Sequence, residues 1–219
     1  MITEIYLIRH GQTIANKMGL KQGTIDDERT YLTATGKQEA AVLAEKLNLG
    51  NNLTALYVSP LHRAQQTAQI LNHQLNLPLI IDDRLREISY GDWDGQKNTD
   101  LKQKYPELFY PLAGVVRPEY VSIAHGESFQ QVETRVRSFT KELTTKYPHG
   151  RIVVVTHGFT VRSFAAIVTG ACGMDILEPD NCSVSKIVVE PAKMKMHLVY
   201  YNRVVNSHFW LVVLALRKK

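Results

Sequence analysis

Two short apolar runs, Ile5 to Arg9 and Ile152 to Thr156, constrain the fold of this chain more than any other feature, because each is apolar almost throughout rather than on alternate residues. A strand with that pattern is covered on both faces, the condition of a central strand in a parallel sheet with helices on either side. Four more runs of strand character, at Leu56 to Ser59, Leu79 to Asp82, Val184 to Val189 and His197 to Tyr201, are separated by segments of helical period. The alternation predicts an α/β fold, a three-layer sandwich with a mostly parallel central sheet flanked by helices. At 219 residues and 44% hydrophobic content, the length suits a single domain over 1–219.

The helical segments carry their own start and stop signals. Ala40, Leu43 and Leu47 share a face between the Thr33/Thr35 cluster and Gly50. Ser59 followed by Pro60 reads as N-cap and first helical residue, after which Ala64, Ala68, Leu71 and Leu75 form one stripe. Ser128 with Gln131 fits a capping box, and Val132, Val136, Phe139 and Leu143 then mark a buried face up to Pro148 and Gly150. Val161, Phe164, Ala165 and Val168 continue a shorter helix from Gly158 to Gly170.

Two stretches break the pattern. Ile14 to Tyr31, with Gly19, Gly23 and the run Asp26-Asp27-Glu28-Arg29, is long for a connection in such a fold. Residues 96–126 carry Pro106, Pro111 and Pro118 among Tyr105, Phe109, Tyr110 and Tyr120, and read as an insertion over the carboxyl ends of the strands. That insertion is either a lid or an excursion packed on its own aromatics.

Composition narrows the functional classes. The formal net charge is +5 and the pI about 9.1, with no basic stripe interleaved with aromatics, so a small anionic molecule is expected as partner and nucleic acid is not. The two cysteines, Cys172 and Cys182, form neither a disulfide framework nor a CxxC spacing, which fits a reducing, cytoplasmic setting. Met1 to Tyr6 lack the basic segment and long apolar run of a signal peptide. The longest apolar run, Phe209 to Leu216, falls far short of the roughly 20 residues that span a bilayer, so no membrane span is expected. It reads as a terminal strand or docked tail that covers the core or closes a homodimer, with Arg217-Lys218-Lys219 as its solvated end.

Residues able to do chemistry gather at strand ends. Arg9-His10-Gly11 closes the first strand, Arg63 lies in the first turn after the second, Glu87 follows the third and His157-Gly158 closes the fourth. In an open parallel sheet such ends line one crevice. Two guanidiniums offer planar paired donors matched to phosphate oxygens, and a helix beginning at Ser59-Pro60 would add amide donors and a positive dipole end. A neutral imidazole can attack phosphorus, and nearby arginine charge keeps it unprotonated near neutral pH. The other histidine, if protonated, stabilises charge on the transferring group, while Glu87 protonates the leaving oxygen, a contribution of about 10²–10⁴ in rate. Taken singly, each residue has a plainer role as a bonded strand-end histidine or a surface arginine, and the joint placement carries the reading. A metal held by His10, His157 and Glu87 is disfavoured, because HExxH and Asp-rich spacings are absent and two adjacent arginines oppose a cation.

The segment Leu7-Ile8-Arg9-His10-Gly11-Gln12-Thr13, followed by Asn16, closely resembles the signature of the histidine phosphatase superfamily in its phosphoglycerate-mutase-like branch. Further matches follow in family order: Gln22-Gly23, Leu32-Thr33 with Gly36 and Gln38-Glu39-Ala40, Ser59 through Ala68, Leu85-Arg86-Glu87, Gly91 through Gly95, Gly126-Glu127-Ser128, Val155-Thr156-His157-Gly158 and Asn181. The resemblance implies that His10 becomes phosphorylated, that Arg9, Arg63 and His157 bind the phosphoryl group, and that Glu87 donates and accepts the proton. It also implies that Asn16, Gln22, Gly23 and Gly158 contact phosphate or the rest of the substrate, that Tyr90 lines the pocket, and that no metal or organic cofactor takes part.

Departures from the family pattern bear on substrate choice. Phosphoglycerate mutases of this family resemble Leu-x-Glu-Arg-x-Tyr-Gly, whereas this chain has Ile88 after the glutamate and keeps Tyr90-Gly91. The paired arginines of the mutase insertion are not evident, since Arg117 stands alone before Pro118. The expected function is therefore a phosphomonoesterase for a small phosphorylated metabolite, with water taking the phosphoryl group from His10. A phosphoglycerate mutase and a non-enzymatic phospho-ligand binding protein are the alternatives. Asp26 to Thr33 lacks the proline of the family's Asp-x-Pro-Leu-Thr turn, and His125 either reaches into the pocket or faces solvent.

Overall fold

A computed structural model of the chain describes residues 2–50, 52–111 and 115–205. Strands β1 (Thr3–Arg9), β2 (Ala55–Val58), β3 (Leu79–Ile81), β4 (Arg151–Thr156), β5 (Val184–Glu190) and β6 (Lys195–Arg203) form one sheet in the order β3-β2-β4-β1-β5-β6. β3, β2, β4 and β1 run parallel, and β5 runs antiparallel to both of its neighbours. The expected α/β architecture is present. Its helices are α1 (Ile14–Met18), α2 (Ala34–Lys46), α3 (His62–Leu75), α4 (Asn98–Lys104), α5 (Val121–Ala124), α6 (Phe129–Lys146) and α7 (Gly158–Thr169).

Period-two alternation explains why the central strands are apolar throughout. Ile5 and Leu7 of β1 join Ile152 and Val154 of β4 in one core, while Tyr6 and Ile8 join Val153 and Val155 in the other. Helices α6 and α7 cover the first core through Val132, Val136, Phe139, Leu143, Val161 and Phe164. Helices α2 and α3 cover the second through Ala40, Leu43, Ala64, Ala68 and Leu71. Leu71 is wholly buried, so trimming it to alanine costs about 2–5 kcal/mol.

Helix ends mostly follow their signals. Ser128 and Gln131 exchange side-chain and backbone bonds at the start of α6, and Gly170 closes α7 in the left-handed conformation. Helix α3 corrects the sequence reading. It begins at His62, its cap residue Leu61 offers no side-chain bond, and the Ser59 hydroxyl, which accepts from the Leu61 amide at 3.3 Å, also takes the His157 Nε2 contact at 2.7 Å. The first amide of α3, on His62, donates to Asp26 Oδ1 at 2.8 Å, so this helix start is already occupied by a carboxylate of the chain.

The described residues of both irregular stretches are held by local bonds and packing. Thr13 caps α1 in a capping box with Asn16, and Asp27 caps a 3-10 turn at Glu28–Thr30. In the 96–126 insertion, Leu101, Leu108, Phe109, Val116, Tyr120 and Ala124 enter the same core as α6 and α7. The Trp93 ring stacks on Tyr105 at 5.3 Å and on Phe109 at 6.0 Å. The apolar run at Phe209 to Leu216 lies outside the described residues. No helix among the described residues is long and apolar enough to cross a membrane.

Candidate active site

β4 lies between β1 and β2, so His157 at its end stands between His10 and Ser59. The His10 amide donates to the Thr156 carbonyl at 2.9 Å, and the Ser59 amide to that of Val155 at 3.1 Å. A 3-10 turn at Asp83–Leu85 carries the chain from β3 towards Glu87. Thr156 and Thr160 then hold that segment, donating to the carbonyls of Leu85 and Arg86 at 2.6 Å each. The outcome is a cavity of about 370 Å³ walled by Arg9, His10, Arg63 and Glu87, with Asn16, Gln22, Gly23 and Tyr90 beside them.

Two residues expected at the cavity lie behind its wall. His157 is fully buried, its ring 5.2 Å from that of His10. Gly158 packs where a Cβ would sit 2.3 Å from Glu178 Oε2 and 3.1 Å from Arg9 Cζ, so its contribution is room for those two groups.

Hydrogen bonds fix the state of each imidazole. His10 Nδ1 lies 2.8 Å from the Gly11 carbonyl oxygen, which can only accept, so Nδ1 carries the proton and Nε2 is bare. Burial, reinforced by Arg63 and then Arg9, holds the His10 pKa well below the ordinary histidine value. At His157 the pattern reverses: Arg63 Nε donates to Nδ1 at 3.2 Å, so Nε2 carries the proton and donates to Ser59 Oγ. Burial and then Arg63 push the His157 pKa well down too. A protonated second histidine is therefore not part of this site, and the positive charge comes from the arginines.

Arg63 is fully buried and cross-braced, donating from Nη2 to the Gly23 carbonyl at 2.7 Å and from Nη1 to that of Ile25 at 3.0 Å. Burial lowers its pKa to about 10, which leaves it cationic at neutral pH. Arg9 donates from Nη1 to the Pro179 carbonyl, while its buried Nε has no hydrogen-bond partner among the described residues. Gly23 is required by geometry: its φ is +49°, and a Cβ would fall 1.6 Å from Asp94 Oδ1. Asp94 in turn accepts from the Thr24 amide and hydroxyl, both at 3.0 Å, and from the Tyr90 amide at 2.8 Å. It thus ties the loop that holds Arg63 to the loop that carries Tyr90.

Glu87 faces the start of α7, accepting from the amides of Phe159 at 3.3 Å and Thr160 at 3.2 Å. Burial, then the charge of Glu178, raises its pKa to about 7 against the opposing pull of Arg63 and Arg9. A carboxyl group poised near neutrality can both give and take a proton. Among the described residues no group of three or more His, Cys, Asp and Glu side chains is placed to hold a metal ion.

Lys21, Asn98, Lys102 and Glu178 also line the cavity, and the sequence reading did not single them out. Adjacency to Gln22-Gly23 was the available signal for Lys21. Glu178 sits in a connection without period, shortly before Asn181, whose Nδ2 donates to the His10 carbonyl at 2.8 Å. His125 faces solvent, 74% exposed and 2.8 Å from Asp92. Ile88 is wholly buried in the core, and Arg117 is turned onto the Phe109 carbonyl and the Tyr110 ring.

The family model for the histidine phosphatase superfamily (branch 1) matches residues 5–202. The chain belongs to the histidine phosphatase superfamily. Within it, phosphoserine phosphatase 1 of Hydrogenobacter thermophilus is 32% identical over 194 residues, covering 86% of this chain and 88% of the relative. Adenosylcobalamin/alpha-ribazole phosphatase of Escherichia coli is 34% identical over 153 residues, 70% of this chain and 72% of that one. Among solved structures, Bacillus stearothermophilus YhfR superposes with a TM-score of 0.81 at 28% identity, over 93% of this chain and 98% of that chain. This histidine phosphatase is a hydrolase of phosphoric monoesters, and relatives of this kind act on small phosphorylated molecules.

Proposed function

We propose that hydrolysis proceeds through phospho-His10 with Glu87 as the proton carrier. In the first step His10 Nε2 attacks phosphorus, the ester P–O bond breaks, and the Glu87 carboxyl proton passes to the leaving oxygen. In the second, the Glu87 carboxylate takes a proton from water as its oxygen attacks phosphorus, the P–N bond breaks, and inorganic phosphate leaves. Arg9 and Arg63 neutralise the phosphoryl oxygens. His157 holds Arg63 at Nε and acts through it, while Asn16, Gln22 and the Gly23 backbone border the phosphate end of the cavity. Tyr90 forms its side.

One observation carries this reading: the Gly11 carbonyl pins the His10 proton on Nδ1, leaving Nε2 bare in a cavity that also holds both arginines and a carboxyl group titrating near neutrality. The buried Ile88 and the averted Arg117 favour transfer to water over the mutase reaction, since neither supplies the arginine that retention of a bisphosphate would use. A reducing, cytoplasmic setting is supported by the two free thiols, Cys172 and Cys182. The 96–126 insertion, which contributes Asn98 and Lys102 to the cavity, is the wall that selects the substrate.

Turnover of an aryl phosphate in the presence of a chelator tests the reading. Wild type is expected to retain its rate and His10→Ala to lose it. Normal turnover by His10→Ala would refute the proposal.

A further inference from the structure

The mechanism uses one wholly buried arginine, Arg63, and leaves another, Arg162, without a task. Arg162 lies one turn into α7, where its Nη1 meets Glu133 Oε1 of α6 at 3.3 Å. Its Nε and Nη2 are buried and have no hydrogen-bond partner among the described residues. A buried guanidinium paired through a single long contact is costly to keep, so that ion pair alone does not account for its place. Two aromatic rings do: the guanidinium carbon lies 5.4 Å from the centre of the Phe129 ring and 5.2 Å from that of Phe159, and the rings are themselves 4.5 Å apart. Out of water, such contacts between a cation and a ring are at their strongest.

Phe129 opens α6 and Phe159 stands at the second position of α7, so Arg162 joins the starts of two helices. One of those starts holds the proton carrier. The Phe159 amide donates to Glu87 Oε2 at 3.3 Å and the Thr160 amide to Oε1 at 3.2 Å, both at the outer end of the hydrogen-bond range, where a small shift of the backbone weakens the bond. Thr160 is tied separately, through its hydroxyl on the Arg86 carbonyl, whereas Phe159 has its ring packed on Phe129 and Arg162. The charges that act directly on Glu87 are those of Glu178, Arg63 and Arg9, with Lys21 and Tyr90 in the same cavity wall. Arg162 does not line that cavity, and the backbone of Phe159 connects it to Glu87.

Resting on the phosphatase reading above, we propose that Arg162 is a positioning residue for the proton carrier: its guanidinium clamps the Phe129 and Phe159 rings and so sets the Phe159 amide against Glu87. An amide that donates to a carboxylate favours the ionised form. With the clamp removed, Glu87 keeps its proton to higher pH and is aimed less well at the leaving oxygen. Esters of poor leaving groups depend on that proton, while an aryl phosphate, whose phenolate leaves readily, depends on it little.

The test follows kcat/KM from pH 6.5 to 8.5 for 4-nitrophenyl phosphate and for whichever of glycerol 3-phosphate and O-phosphoserine wild type hydrolyses faster. The variants are Arg162→Met, which keeps the length of the side chain without its charge, and Glu133→Gln, at a partly exposed residue whose loss frees the guanidinium while the core stays filled. In Arg162→Met the ratio of alkyl to aryl kcat/KM, taken within the variant so that any loss of folded protein cancels, should fall about tenfold. The pH at which the alkyl value begins to decline should rise by about half a unit. Glu133→Gln should move both readings the same way by less, and it decides the matter if Arg162→Met does not fold. An unchanged ratio and an unchanged decline in the folded variants, whatever happens to Tm, would overturn the positioning role and leave the phosphatase reading intact. A wild type that turns over neither class of ester, or whose alkyl profile shows no decline above neutral pH, would overturn the role given to Glu87 and the inference with it.

Discussion

His10 and His157 stand edge to face, with ring centroids 5.2 Å apart, and carry their protons on opposite nitrogens. The Gly11 carbonyl and the Arg63 guanidinium impose this arrangement, one from each side. The pair therefore divides its labour, with His10 presenting a lone pair to the cavity and His157 using both nitrogens to brace Arg63 and Ser59.

Nitrogen NMR of the histidine-labelled protein should display that division. Both rings are expected to stay neutral from pH 6 to 8, since burial and Arg63 lower both pKa values, with His10 in the Nδ1–H form and His157 in the Nε2–H form. A His10 ring that titrates within this range would contradict the assignment.

The pH profile follows from Glu87. Its first task needs the protonated form, and its pKa lies at about 7 while that of His10 is already well below the working range. On an ester that is dianionic throughout, kcat/KM should therefore be flat below about pH 7 and fall tenfold per pH unit above it. In Glu87→Gln that descending limb should vanish along with most of the activity.

The same carboxyl affects stability with a definite sign. Its folded-state pKa is raised from 4.5 to about 7, so the folded protein holds the proton more tightly than the unfolded chain does. This contribution is full below the unfolded pKa and is lost as pH rises through about 7. Glu87→Gln cannot ionise, so its stability relative to wild type should improve between pH 5 and pH 8, by on the order of 1–3 kcal/mol. Thermal melts at the two pH values measure the difference, and a relative stability that is constant or declines would contradict it.

Ser59 is a positioning residue that acts through His157. Removing its hydroxyl in Ser59→Ala leaves the buried His157 Nε2–H without an acceptor, a loss of about 1–3 kcal/mol. With the ring freed, Arg63 loses its brace, and kcat should fall roughly tenfold with little change in KM. Ser59→Thr, which keeps the hydroxyl, should recover the rate. A purely structural role for Ser59 would lower Tm in the alanine variant and leave kcat as it was.

Much of this was legible from sequence because burial and strand direction leave strong marks. β1 and β4 read as central strands since both faces of each are covered, and the carboxyl-end rule then brought Arg9, His10, Arg63, Glu87 and His157 to one end of the sheet. The capping box at Ser128 was visible because both partners lie within one helical turn. Ser59 was misread because Ser-Pro is a local helix-start signal: its Oγ does accept from the nearby Leu61 amide, but its partner at the site, His157, lies 98 residues away. Asp26, Lys21 and Glu178 escaped for a related reason. They sit in segments without period, placed by long-range bonds such as the Asn98 amide to the Gly19 carbonyl at 2.9 Å.

The central claim is that turnover passes through a covalent phosphohistidine on His10. Rapid mixing with substrate, an alkaline quench and peptide mass spectrometry test it most directly. The expected result is a phosphoryl group on His10 that survives base, is lost in acid, forms at a rate no slower than turnover, and is absent from His10→Ala. Steady turnover with His10 unmodified, or with the phosphoryl group on another residue, would contradict the account.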